Sequence, residues 1–245
     1  MGILDVLKNG GHPYTSAMIL AAGSGSRFSD VAGQKQNTLL RGMPVVARTI
    51  AAFESCHLVD EIIIVCREED VPSYSGFPEK FGFQKIARVI PGGKERMDSA
   101  MAGVDAVNDK SKFIAVHDGA RCLITPEMIE KTLRAAYRDG AAAAGRPSTD
   151  TVKYTEDGST ISETVDRTKV WLIGTPQVFM ANMYRVAIYM AKKDGASVTD
   201  DCMMAERLGF KVSLVDVGGE NIKITNPEDI YIAEGILRRR EDMGR

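Results

Sequence analysis

The chain has 245 residues, 44% of them hydrophobic and 26% charged, with 31 basic residues set against 33 acidic ones. That length supports one sizeable core and is short for two full domains. The nearly cancelled charge excludes a nucleic-acid binder held by bulk attraction, so any polyanion site must be a local basic cluster. No apolar run approaches the ~20 residues of a membrane span. The opening "MGILDVLKNGGHPYTS" has no long apolar stretch of a signal peptide. Residues 1–15 read as a loosely held lead-in, 16–240 as a single domain and 241–245 as a tail.

In chain order, the short apolar runs are "AMILAA" (17–22), "EIIIVC" (61–66), "ARVI" (87–90), "FIAVHD" (113–118) and "AAAAG" (141–145). They read as buried strands of a mainly parallel sheet. Helical spacing fills 44–56, 95–107 and 126–139 between them, with Thr125 as N-cap and Pro126 at the first helical position. The alternation implies an α/β, Rossmann-like doubly wound fold with helices on both faces and ligands at the carboxyl ends of the strands. One segment, "DTVKYTEDGSTISETVDR" (150–167), breaks the pattern. It has the β-formers and the Asp157-Gly158 turn of a hairpin but is polar on both sides, so it predicts a protruding arm rather than core. Apolar runs resume at 170–174 and 210–217, and a last helix follows Thr225 toward the basic 238–240.

Cys56, Cys66, Cys122 and Cys202 are widely spaced without a C-x-x-C pair. They predict reduced, packed thiols in a cytoplasmic protein rather than disulfides or a zinc site.

The chemistry concentrates in "SAMILAAGSGSRFSDVAGQKQ" (16–36), an apolar run feeding a glycine-rich turn. A Walker loop needs Gly-Lys-Ser/Thr, which occurs nowhere in the chain. A dinucleotide fingerprint needs a third glycine where Phe28 stands, which disfavours a dehydrogenase. What stands is A-A-G-x-G-x-R followed by Lys35. Gly23 and Gly25 allow backbone N–H groups close to phosphate oxygens, Arg27 adds a planar fork and Lys35 a mobile charge. That set suits a nucleoside triphosphate.

"LAAGSGSRF…QKQ" resembles the signature of sugar-nucleotide and alditol-phosphate nucleotidylyltransferases. With "PGGKERMDSA" (91–100), "VHDGAR" (116–121), "TVDR…GTPQVF" (164–179), "VTDD" (198–201) and "ENIKITNPEDI" (220–230), the order and spacing resemble the 2-C-methyl-D-erythritol 4-phosphate cytidylyltransferase family. The likeness covers about 16–240. Gln34, Asn37 and Cys122 depart from it, standing where the family has proline, an aromatic residue and proline.

The resemblance implies cytidylyl transfer from CTP to methylerythritol phosphate, with release of pyrophosphate and with Mg²⁺ or another divalent cation on the phosphates. It points to Arg27 and Lys35 as catalytic. The nucleotide falls to Ala21, Ala22, Gly23, Gly25, Gly92, Gly93, Ser99 and Asp118, with Asp118 also the candidate to orient the metal. The second substrate falls to Arg121, Thr175, Thr199 and Lys223, and to Thr151 and Arg167 on the arm, which would embrace a second subunit in a homodimer. Arg96 and Asp98 read as a structural pair and His117 as a non-catalytic strand-end residue. A ribitol-5-phosphate cytidylyltransferase would share fold and chemistry. A nucleotide-binding regulator without catalysis is the reading from another class, and the joint presence of Arg27, Lys35, Asp118 and Lys223 argues against it.

Overall fold

The structure, a computed structural model, describes residues 11–23 and 36–244. In chain order its strands are β1 (Thr15–Leu20), the small pair β2 (Leu39–Leu40) and β3 (Met43–Pro44), then β4 (Glu61–Cys66), β5 (Ile86–Pro91), β6 (Phe113–Asp118) and β7 (Ala141–Pro147). The arm strands β8 (Val152–Tyr154) and β9 (Glu163–Val165) follow, and then β10 (Trp171–Met180) and β11 (Ser213–Asp216). Seven of them form one sheet in the order β11-β7-β10-β6-β1-β4-β5. Six run in the same direction, and β10 lies antiparallel between β6 and β7. Every residue of β4 and of β6 is buried, as strands covered on both faces must be.

The helices are α1 (Val45–Ser55), the short α2 (Val71–Ser75) and α3 (Phe77–Phe81), α4 (Arg96–Ala106), α5 (Pro126–Asp139), α6 (Ala181–Lys193), α7 (Asp201–Arg207) and α8 (Glu228–Asp242). On one face of the sheet, Ile50 and Phe53 of α1 meet Ile129 and Leu133 of α5 over Ala17, Ile19 and Ile64. On the other face, Val104 of α4, Tyr184 and Ile188 of α6 and Met204 of α7 pack over Met18, Ile63 and Val116. Alternate residues of β1 and β4 thus feed two separate cores, the period-two signature of a strand between helix layers. A third, smaller cluster seats Ala233 of α8 near Leu40, Cys122 and Leu123.

Local chemistry sets the boundaries. Thr125 Oγ1 accepts from the Met128 N–H to open α5, and Gly140, at φ 90°, closes it. Glu95 and Asp98 form a capping box on α4. The run expected at 170–174 extends through "TPQVF" into ten-residue β10, while the one at 210–217 contracts to Ser213–Asp216. The sequence reading names neither α2 nor α3: each is five residues long, too short to display a period. The arm pairs Val152 with Val165 and Tyr154 with Glu163. Its tip is not a two-residue turn: Asp157 accepts from the N–H groups of Ser159 and Thr160, at 2.8 Å each, and holds a longer loop. At the opposite end of β1, Asp60 accepts from the Thr15 N–H at 2.7 Å and meets His12 at 3.3 Å, so residues 12–15 of the lead-in are tied to the sheet. All four cysteines are free and buried. Among the described residues, no helix is long and apolar enough to cross a membrane.

Candidate active site

The parallel strands β1, β4, β5 and β6 end along one rim, and backbone bonds lock their exits together. Ala21 N–H donates to Val65 O, Gly92 N–H to Cys66 O and Gly119 N–H to Leu20 O, at 2.7–2.8 Å. Gly92 is required by space: a Cβ there would stand 2.6 Å from Ser99 Oγ and 2.8 Å from Ala22 Cβ. Gly93 is pressed as closely, with 2.2 Å to Asp98 Cβ. The two loops after β1 and β5 therefore touch, and between them opens a cavity of about 310 Å³ lined by Ala22, Gly23, Gly93, Ser99, Asp118 and Lys223. Arg27, Lys35 and Gly25 lie outside the described residues. Gln36, at the end of that segment, donates from Nε2 to Gly23 O at 3.2 Å and lines the same cavity.

Asp118 is the electrostatic centre. Lys223 Nζ lies 2.9 Å from its carboxylate, Arg121 Nε 3.4 Å and Arg96 Nε 4.0 Å. Burial alone would raise its pKa, but the cations Lys223, Arg96 and Arg121 outweigh it and lower the pKa to about 2. The carboxylate is therefore ionised throughout the neutral range. Lys223 reaches this point because its loop is stitched to the strand ends. Ile224 N–H donates to Ala120 O at 2.8 Å, Arg121 Nη1 to Asn221 O at 2.9 Å, and Asn221 Nδ2 to Thr175 O at 2.8 Å.

His117 holds the same turn from below. Its Nε2 lies 3.3 Å from Arg121 O, a carbonyl that only accepts, so Nε2 carries the proton and Nδ1 accepts from the Thr175 hydroxyl at 3.1 Å. Thr175 Oγ1 in turn accepts from the Asp118 N–H at 3.0 Å. Burial is the main cause of a His117 pKa lowered to about 3, so the imidazole is neutral. It lines neither the cavity nor the neighbouring cleft and serves as a strut for Asp118 and Arg121.

The sequence-derived residues divide in three. Ala22, Gly23, Gly93, Ser99, Asp118 and Lys223 meet in the cavity, while Ala21 and Gly92 support it from behind. Ser99 spends its hydroxyl inside the loop, accepting from Gly93 N–H at 3.2 Å and donating to Glu95 O at 3.2 Å. Arg121 and Thr175 stand beside the cavity, Arg121 lining a neighbouring cleft. Thr199 is exposed with its hydroxyl on Met203 Sδ, and Thr151 and Arg167 sit on the exposed arm, where Arg167 donates to Thr149 O. None of these three lines the cavity in one chain.

Arg96 and Asp98 do not pair with each other. Asp98 caps α4 and meets Lys192 at 2.5 Å, whereas Arg96 turns inward to fully buried Asp201, also at 2.5 Å. Tyr184 donates its hydroxyl to the same Asp201 at 2.6 Å. Gln177 completes this wall: its Oε1 accepts from the N–H groups of Asp201 and Cys202, and its Nε2 donates to Asp200. In the sequence Gln177 and Asp201 are only letters within "GTPQVF" and "VTDD", because their partners are 24 and 105 positions away.

Comparison with known proteins adds an independent line. Residues 15–239 match the sequence model of the family described as 2-C-methyl-D-erythritol 4-phosphate cytidylyltransferase. The chain belongs to that family. A 2-C-methyl-D-erythritol 4-phosphate cytidylyltransferase of Syntrophus aciditrophicus is 37% identical over 230 residues, covering 94% of this chain and 98% of the relative. One from Caldanaerobacter subterraneus subsp. tengcongensis is 39% identical over 225 residues, 91% of this chain and 99% of the relative. The crystal structure of 4-diphosphocytidyl-2C-methyl-D-erythritol synthase from Anaerococcus prevotii superposes with a TM-score of 0.82 at 30% identity, covering 92% of this chain and 96% of that one.

Two departures from the cytidylyltransferase pattern have structural partners. Asn37 accepts from the buried Tyr74 hydroxyl at 2.8 Å and donates to Asp70 at 3.3 Å. Cys122 is packed beside Leu40 and Leu123, and burial pushes its thiol up to about 11, so it acts as a small hydrophobe. Gln34 lies outside the described residues. Among the described residues, no three His, Cys, Asp or Glu side chains cluster to cage a metal. Asp118 is the carboxylate on the cavity wall beside Lys223, which fits an ion held mainly by phosphate oxygens.

Proposed function

We infer that this chain transfers the cytidylyl group of CTP to 2-C-methyl-D-erythritol 4-phosphate, giving CDP-methylerythritol and pyrophosphate. The observation that carries the reading is the 310 Å³ cavity, which sets the glycine turn, the 92–99 loop, Asp118 and Lys223 around one space. The acceptor phosphate oxygen attacks the α-phosphorus in line, and the bond from that phosphorus to the α,β-bridging oxygen breaks as pyrophosphate leaves. Two anions must approach, so the protein's work is positioning and charge compensation rather than covalent catalysis. Lys223 stands where it can meet phosphate oxygens, with Asp118 fixing its ammonium group. Arg27 and Lys35 are the proposed cations on the α-phosphate and the leaving group. The close approach of the two loops is the proposed basis for taking a pyrimidine over a purine. A divalent cation, when bound, would screen the triphosphate's charge, with Asp118 the proposed protein carboxylate beside it.

The active unit is proposed to be a homodimer in which the arm delivers Thr151 and Arg167 to the partner's site. Supporting this, Tyr154 and Ile161 of the arm are 54% and 67% exposed, and a two-stranded hairpin alone is marginal in water. Free, buried thiols support a reducing, cytoplasmic setting.

Pyrophosphate release tests the reading, measured with each of the four nucleoside triphosphates and with methylerythritol phosphate or ribitol 5-phosphate as acceptor. CTP with methylerythritol phosphate is expected to exceed every other pair. Equal release with ATP would refute the pyrimidine pocket, preference for ribitol 5-phosphate would reassign the acceptor, and no release at all would leave a nucleotide-binding regulator.

A further inference from the structure

The loop that carries Lys223 and the turn that carries Arg121 are joined a second time by a residue of the last helix. Arg240, in the final turn of α8, donates from Nε to Glu220 Oε2 and from Nη2 to Leu123 O, each at 2.8 Å. Its side chain is 14% exposed and lines neither the nucleotide cavity nor the cleft beside it. Glu220 precedes Lys223 by three residues, and Leu123 follows Arg121 by two. One rigid, planar guanidinium therefore spans the two segments that bring Lys223 and Arg121 to Asp118.

The segment between Glu220 and Lys223 needs such an anchor, because residues 217–225 belong to no helix or strand. Its order comes from single bonds. Ile222 N–H donates to Glu220 O and Ile224 N–H to Ala120 O, both at 2.8 Å, and Arg121 Nη1 donates to Asn221 O at 2.9 Å. Leu123 and Ile224 also pack with Ala233 of α8 in one apolar cluster. Apolar packing brings the pieces together but is non-directional, whereas a charge-assisted hydrogen bond fixes an angle as well as a distance. Arg239, one residue earlier and 60% exposed, reaches the same Glu220 carboxylate but, among the described residues, nothing on the Arg121 turn. The spanning contact belongs to Arg240.

We propose that Arg240 is a positioning residue for the transfer reaction: from α8 it fixes the Lys223 loop against the Arg121 turn, so that both cations meet Asp118 in one register. The kinetic consequence rests on the cytidylyltransferase reading above, and the clamp itself rests on geometry.

The test has two arms. Arg240→Met keeps the apolar stem and deletes the fork. In steady-state pyrophosphate release at saturating substrates its kcat should fall about 10- to 100-fold, the scale of a displacement of about 1 Å transmitted from outside the site. Arg240→Lys keeps the charge and should recover part of the loss, while Arg239→Met should stay near wild type. In a Lys223→Gln background, Arg240→Met should lower kcat little further, yet lower Tm as much as it does in the wild-type background, a split that loss of stability alone does not produce. A kcat near wild type in Arg240→Met, an equal loss in Arg239→Met, or the same factor in both backgrounds overturns the proposal. The second arm is amide hydrogen exchange of nucleotide-free protein, which needs no turnover. In Arg240→Met the Ile222 and Ile224 N–H groups should accelerate on the order of tenfold more than the amides of β4 and β6, which report the stability of the whole sheet. No acceleration in the loop, or an equal one in loop and sheet, overturns the clamp. Should wild type release no pyrophosphate with any pair of substrates, the functional reading fails by itself, and the exchange measurement still decides the clamp.

Discussion

Replacing Arg96 by methionine tests whether the wall of the nucleotide cavity is held by a buried charge pair. Asp201 is fully buried, and its carboxylate is shared between Arg96 at 2.5 Å and the Tyr184 hydroxyl at 2.6 Å. Burial by itself would lower the Arg96 pKa, but the charge and hydrogen bond of Asp201 raise it above its ordinary value, so the guanidinium stays charged. Arg96→Met keeps the apolar stem and deletes the charge. Removing one partner of a buried pair costs about 3–5 kcal/mol, because the other charge stays enclosed. The Arg96 side chain is 34% exposed, so water can reach the vacated position, and the lower end, about 3 kcal/mol, is expected. The assay is urea unfolding at pH 7, read as a fall in midpoint at constant slope. Adding Asp201→Asn removes the stranded charge while its amide oxygen still accepts from Tyr184. The double variant should therefore be more stable than Arg96→Met alone, with a coupling of about 1–3 kcal/mol. A single variant within about 0.5 kcal/mol of wild type, or strictly additive effects, would refute the buried-pair argument.

Gly92→Ala places a methyl 2.6 Å from Ser99 Oγ and 2.8 Å from Ala22 Cβ, so the two touching loops must part. Stability should drop by about 1–3 kcal/mol and the CTP KM should rise, while a wild-type CTP KM would show that the contact does not shape the cavity. His117 has its pKa lowered to about 3 in the fold, against about 6.5 unfolded, so its contribution to stability is complete above pH 6.5 and is lost as pH falls toward 3. His117→Gln should flatten the stability profile across that window, and an unaltered slope would contradict a neutral buried imidazole. Lys35→Ala should lower turnover by about 10²–10³ with a smaller effect on CTP binding, and Arg167→Ala should bind CTP yet be nearly inactive. If the arm serves the partner's site, mixing the two under conditions of verified subunit exchange restores activity, because the heterodimer holds one intact site. Absence of recovery would reduce the arm to a clasp.

The sequence by itself determined the layers and the motif-bearing rim. Strands such as "EIIIVC" and "FIAVHD" are apolar throughout because helices cover both faces, and that property is local enough to be read in six letters. Thr125-Pro126 marks the start of α5 for the same reason, since a cap is satisfied within four residues. The glycines at 92 and 93 and the aspartate ending β6 were legible as a ligand rim from their place after strands. The antiparallel course of β10 was not, because strand direction depends on which neighbours a strand pairs with, and nothing within "WLIGTPQVFM" encodes that. Nor were the partners of Arg96, which a helix-local reading assigns to Asp98, two residues along, and which the tertiary structure gives to Asp201. The cluster of Lys223, Arg121 and Arg96 about Asp118 arises only when distant loops close on one another. Charge balance along the chain is nearly neutral, and folding concentrates its cations locally, because electrostatic interaction follows distance in space rather than separation in sequence.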